Sequence, residues 1–210
     1  MRNKKMILCL LVFILMLAMG AGVIYVNEML KYTYKTVKVK DYGLQLKYPR
    51  AYEDVVKNTK TDVEQISNQI EVVVEEYEKS GDVLLEFTEE LINTKSKVSN
   101  ITLLIEGIKK EKSTKTLEQI CKDYIVMFKV FNSNPTIKSS KYEEVVVDGK
   151  NAGRVEIYIE GKDGKSCPGI ISYLFPLNDR EITITFMGTE KLFANNKNEI
   201  NKIVDSIKIK

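Results

Sequence analysis

Gly161-Lys162-Asp163-Gly164-Lys165-Ser166 ends in a G-K-S triplet, the tail of a loop that cradles phosphates. Such a loop also needs a glycine at position 159 and a helix after the serine. Ile159 and the run Cys167-Pro168-Gly169 stand there instead, so the segment reads as a hairpin loop and no nucleotide is expected. Its carboxylates are too few for a calcium loop of the EF-hand type. Adjacent carboxylates occur at Glu75-Glu76, Glu89-Glu90 and Glu143-Glu144. Neighbours on a strand point to opposite faces, and on a helix they diverge by about 100°, so none is a general acid/base pair by spacing. Neither S-x-x-K nor G-x-S-x-G occurs. There is no histidine, which removes Ser-His-Asp and Cys-His catalysis, His-ligated zinc and haem, and a histidine pH switch. Of the three cysteines, Cys9 lies in an apolar run, and Cys121 and Cys167 lie far apart with no C-x-x-C. A single Cys121–Cys167 bridge stays open as an alternative to two free thiols. Asn100-Ile101-Thr102 has the form of a glycosylation sequon, which matters only in a eukaryotic secretory pathway. No catalytic, cofactor-binding or metal-ligating residue is assigned, and no cofactor is implied.

Charge narrows the partners further. Arg2, Lys4 and Lys5 precede the apolar run and every acidic residue follows it, so the net charge of +3 belongs to the N-terminus and the rest is formally neutral. A neutral domain lacks the basic footprint that nucleic acid requires. The abundance of Lys, Ile and Asn fits an AT-rich bacterial genome.

Residues 1–5 form a basic N-terminus, expected to be cytoplasmic. Met6 to Val26 is an apolar run of about 21 residues, long enough at roughly 1.5 Å per residue to cross a ~30 Å hydrocarbon core. It reads as a retained single-pass signal-anchor; the alternative is a signal peptide cut near Ala18-Met19-Gly20. The bilayer is therefore an expected partner. The trailing domain is expected outside the cytoplasm, because long domains translocate largely regardless of their charge.

Residues 27–36 read as a stalk and 37–210 as one domain. Val37 to Lys40 and Leu44 to Tyr48 alternate like strands around the turn Asp41-Tyr42-Gly43, and Pro49 stops the second. Asp62 to Lys79 predicts a helix with Val63, Ile66, Ile70 and Tyr77 on one face, a Thr61/Glu64 capping box and Gly81 beyond its end. Glu64, Gln65, Asn68, Glu71, Glu75 and Glu78 make its other face acidic; a solvated surface is expected there, with a cation or basic partner as the alternative. Asp82 to Thr88 and Asn100 to Ile108 predict strands, with a polar segment Asn93 to Asn100 between them. Thr116 to Phe131 predicts a second helix burying Leu117, Ile120, Cys121, Tyr124 and Phe128, which makes Cys121 a small core residue. Thr136–Val147, Ala152–Glu160, Ile170–Leu177 and Glu181–Met187 predict a four-strand meander with a hairpin turn at Asp148-Gly149. Thr189 to Ser206 predicts one closing helix. Short turns make neighbouring strands antiparallel, and helices with one apolar stripe must cover their sheet, so the expected class is α+β with an antiparallel central sheet.

Three stretches carry a family resemblance: Tyr42-Gly43-Leu44-Gln45-Leu46-Lys47-Tyr48-Pro49, Val147-Asp148-Gly149-Lys150-Asn151-Ala152, and Ile182-Thr183-Ile184-Thr185-Phe186 with Phe193 and Ile203-Val204-Asp205-Ser206-Ile207. Together they resemble the PsbP-like family, whose fold is shared with a yeast Ran-binding protein, over about Val37 to Ile209. The resemblance implies an antiparallel sheet sandwiched by helices. It also implies a binding or assembly role and no enzymatic activity. Some members bind a photosystem, and no photosystem-specific residue is present to carry over. The expected function is a membrane-tethered, extracytoplasmic, non-catalytic domain that binds a protein or aids assembly in the cell envelope. The alternatives are a small-ligand or cation sensor and an envelope hydrolase working through carboxylates.

Overall fold

The structure, a computed structural model, describes residues 33–55, 89–110, 113–132, 135–161 and 167–210. The apolar run Met6–Val26, the acidic helix expected at Asp62–Lys79, the strand expected at Asp82–Thr88 and the loop Lys162–Ser166 lie outside these residues. Among the described residues, no helix is long and apolar enough to cross a membrane.

The chain enters through β1 (Tyr34–Val39), a 3-10 turn (Lys40–Tyr42), β2 (Leu44–Pro49) and β3 (Tyr52–Asp54). It continues through β4 (Glu89–Ser96), β5 (Thr102–Lys109), α1 (Leu117–Phe131) and the four strands β6 (Ile137–Val147), β7 (Lys150–Ile159), β8 (Pro168–Pro176) and β9 (Arg180–Thr189). Helices α2 (Glu190–Asn195) and α3 (Lys197–Asp205) and the short β10 (Lys208–Ile209) complete it. All strand pairs are antiparallel, and they form two sheets, β1-β2-β10 and β3-β4-β5-β9-β8-β7-β6.

The antiparallel α+β class and the four-strand meander are as the pattern predicts, and Asp148 and Gly149 both take positive φ at its first turn. Four expectations change. The opening hairpin does not join the central sheet: β2 is bonded by β1 on one edge and β10 on the other, so neither edge is left for the large sheet. The polar segment expected from Asn93 belongs to β4 as far as Ser96, because Thr94 and Ser96 are small enough to be fully buried beside Ile101 and Leu103. The closing helix is two helices. Asn196 leaves helical geometry (φ −117°, ψ 20°), and both its N–H and its Nδ2 donate to the Leu192 carbonyl, which terminates α2. The first strand begins at Tyr34, three residues before the expected start.

Two apolar cores result, one on each face of the large sheet. On one face α1 buries Ile120 and Cys121 against Val155, Ile157, Ile170 and Leu174. Thr116 starts this helix with a capping box: its Oγ1 accepts from the Gln119 N–H, and the Gln119 side chain accepts from the Thr116 N–H. On the other face Leu44 and Leu46 of the small sheet share a core with Leu103, Ile105, Ile184 and Phe186 of the large one and with Phe193, Ile200 and Ile203 of α2 and α3. Helix α1 thus covers one side of the seven-stranded floor, and the small sheet with α2 and α3 covers the other.

Candidate functional site

The strand β7 lies inside the sheet, between β6 and β8, so both its edges are bonded and its side chains alternate between the two covered faces. Gly153, Val155 and Ile157 point toward α1. Cys121 of that helix is fully buried, and burial together with the Glu144 carboxylate pushes its thiol up to about 11. A thiol in that state packs and does not react. Cys167 is a free thiol as well, so the Cys121–Cys167 bridge does not form.

The opposite face of β7 carries Arg154 and Glu156 where apolar residues would be ordinary. Register places Glu143 of β6 and Tyr173 of β8 on either side of Arg154, and Lys141 of β6 beside Glu156. The guanidinium therefore bonds in three directions. Nε donates to the Tyr173 hydroxyl at 3.2 Å, Nη1 to Glu143 Oε1 at 2.5 Å, and Nη2 to Glu156 Oε1. Lys141 Nζ sits 3.0 Å from the other oxygen of Glu156. Glu156 is only 8% exposed, and two cations offset its burial. Burial opposes the charge on Arg154, and Tyr173, Glu143 and Glu156 outweigh it, holding the group protonated beyond its ordinary value. Burial likewise pushes the Tyr173 phenol up.

Arg154 and Tyr173 form the inner wall of a groove of about 440 Å³. Val145 and Val147 of β6 and Asp148 of its turn line one side; Asn201, Val204 and Asp205 of α3 line the other. Val146, between the two lining valines, turns its side chain, 70% exposed, to the other face of the strand. Both walls are pinned. Asp148 accepts from Lys208 Nζ at 2.7 Å and from the Ile209 N–H at 2.8 Å, tying the β6–β7 turn to β10, and these bonds hold its carboxyl below the usual range. Helix α3 is fixed at its first turn, where Glu199 accepts from the Tyr52 hydroxyl at 3.0 Å and from Ser99 Oγ at 2.9 Å. At its far end the Lys47 N–H donates to Ser206 Oγ at 2.7 Å.

The chemistry available is recognition. Arg154 and Asp148 are bonded to neighbours, Asp205 is an exposed carboxylate on the facing helix, and the valines offer apolar contact. Ser172 is buried in a hydroxyl network with Tyr124 (2.9 Å) and Thr185 (3.0 Å), under α1 and away from the groove. The carboxylates of Glu89-Glu90 and Glu143-Glu144 split onto opposite faces, as their adjacency requires. Glu89 pairs in register with Gly107 and Glu90 with Glu106, while Glu143 pairs with Arg154 and Glu144 with Gly153. Among the described residues no group of three or more His, Cys, Asp or Glu is placed to hold a metal ion. The sequence reading did not find Arg154, Glu156 and Tyr173. The available signal was a charged pair alternating with Val155 and Ile157 on a strand flanked by strands on both sides.

No protein-family model matches this chain, and no curated protein matches it. Among solved structures it is similar to the solution structure of a cyanobacterial PsbP (CyanoP) from Synechocystis sp. PCC 6803. The TM-score is 0.55 at 10% identity, over 85% of this chain and 93% of that one. A protein from Bacteroides thetaiotaomicron VPI-5482 aligns with a TM-score of 0.49 at 7% identity, over 84% of this chain and 48% of that one. The chain has a PsbP-like fold.

Proposed function

We propose that this chain is a non-catalytic protein-binding domain, tethered by its apolar N-terminal run and held outside the cytoplasm in the cell envelope, with the groove between α3 and the β6–β7 hairpin as its partner site. The observation that carries the reading is the state of Arg154. Each of its three nitrogens is bonded, to Tyr173, Glu143 and Glu156, so the groove presents a rigid, charge-balanced wall beside Val145 and Val147. A wall of that kind recognises shape and apolar side chains, and Asp205 on the facing helix adds one carboxylate for a polar contact. The PsbP-like fold is consistent with such a role, and a tether raises the effective concentration of a partner in the same membrane.

The test is photocrosslinking in intact cells from a reactive residue placed at Asn201, on the groove side of α3, with Lys129 on the exposed side of α1 as control. One reproducible protein captured from position 201 and absent from position 129 supports the reading. Equal, diffuse labelling from both positions removes it. Asp205→Arg should reduce that capture at least about tenfold, while its effect on stability stays within about 0.5 kcal/mol. Protease added to intact cells should digest the domain; a protected domain would remove the extracytoplasmic placement.

A further inference from the structure

The strand β6 is the last of the seven, and among the described residues no strand lies on its outer side. It runs eleven residues, and Lys138, Ser139, Ser140, Lys141, Glu143, Glu144 and Val146 are exposed along it. Such an edge offers a row of backbone donors and acceptors to another strand. Its one irregularity, between Ile137 and Ser139, lies at one end, and it contains no proline.

We propose that the strand it receives is β6 of a second copy, running antiparallel about a two-fold axis at Tyr142. The charges select both the partner and the register. With the axis at Tyr142, Lys141 of each copy stands opposite Glu143 of the other, twice over, and Ser140 stands opposite Glu144. A slip of two residues one way sets Lys141 against Lys141; the other way sets Glu143 against Glu143. A slip of one residue turns the second copy over, so that its α1 face continues the groove face of the first. Opposite charges across a strand pair stabilise it and like charges disfavour it, so the register centred on Tyr142 is favoured over its two-residue slips. The side chains are already in place for it. Lys141 is held by Glu156 at 3.0 Å and Glu143 by Arg154 at 2.5 Å. The paired edges extend these bridges into one row of alternating charge, from Glu156 through Lys141 to Glu143 and Arg154 of the second copy. The same lysines and glutamates that repel an unrelated strand thus admit this one. The surface is the outer edge of β6, not the groove, so the pairing and the partner reading above can each fail alone.

The test uses the full 210-residue chain in density-matched detergent micelles, followed by sedimentation. The unaltered chain is expected to show a reversible monomer–dimer equilibrium. Lys141→Glu and Glu143→Lys should each weaken it at least about tenfold, since each sets like charges opposite one another twice. An equimolar mixture of the two variants should regain the dimer, because each then faces its complement. A chain that stays monomeric, variants that pair as well as the parent, or a mixture that stays apart would each overturn the proposal. Amide exchange on the unaltered chain gives a reading that needs no variant to fold. Protection along β6 should rise with protein concentration while β3, at the other edge of the sheet, is unchanged; a rise at neither edge also overturns it.

Discussion

Gly153 of β7 lies against Cys121 of α1: a Cβ on the glycine would stand 2.2 Å from Cys121 Sγ. The helix approaches the sheet that closely only because one residue has no side chain, and the fully buried thiol fills the space. Gly153→Ala should therefore destabilise the domain by about 1–3 kcal/mol. Combining it with Cys121→Ala should recover part of that loss, because the clashing sulfur is gone. Urea denaturation of the two single variants and the double variant measures the coupling; additive losses would mean the two positions do not touch.

Arg154 is the second test of packing. Its removal leaves Glu156, 8% exposed, with Lys141 alone. Arg154→Met should cost on the order of 3 kcal/mol, and Arg154→Met with Glu156→Leu should cost less than Arg154→Met alone, since no buried charge is then stranded. Thermal unfolding of both variants would show this order; the reverse order would mean that Glu156 finds solvent without Arg154.

Glu199 joins α3 to β3 and to the β4–β5 turn through two hydroxyls. Glu199→Ala leaves the Tyr52 and Ser99 hydroxyls without that acceptor and should cost about 2 kcal/mol or more. Glu199→Gln keeps an acceptor oxygen and should cost roughly half as much. Equal losses in the two variants would show that the carboxylate acts through its charge at the helix start and not through these bonds.

Stability should be flat from about pH 5 to 8.5, because without histidine no side chain has an ordinary pKa there, and it should fall in alkali. Burial and Glu144 push the Cys121 thiol from 9.0 up to about 11. The folded chain therefore keeps a proton that the unfolded chain releases. That contribution is complete below pH 9 and is lost as the pH rises to about 11. Burial raises Tyr52, Tyr124 and Tyr173 with the same sign, which continues the decline above pH 10. Denaturation at pH 7, 9 and 10.5 should show Cys121→Ala losing less between the last two points than the parent does. Identical slopes would assign the decline to the tyrosines.

Periodicity made α1 and the meander legible because each buries a regular stripe: Leu117, Ile120, Cys121 and Tyr124 on the helix, Val155 and Ile157 on β7. The end of β4 was hidden because Thr94 and Ser96 are polar by type, and only their pairing with β5 and β3 buries them. The break at Asn196 was hidden because the apolar stripe resumes after it, at Ile200 and Ile203, with little change of phase. The groove was not legible at all. Arg154, Tyr173 and Val204 are joined only by tertiary placement, and no spacing in the chain records that placement.

The bond between Ser206 and Lys47 spans 159 residues, and β10 closes on β2 across a similar stretch. In a chain made from its N-terminus, β2 waits for almost all of the domain to be synthesised before its second edge is filled. The smaller sheet is therefore the last part to assemble. Until then one side of β2 stays unpaired, so a polypeptide released short of Lys208 would carry a raw strand edge.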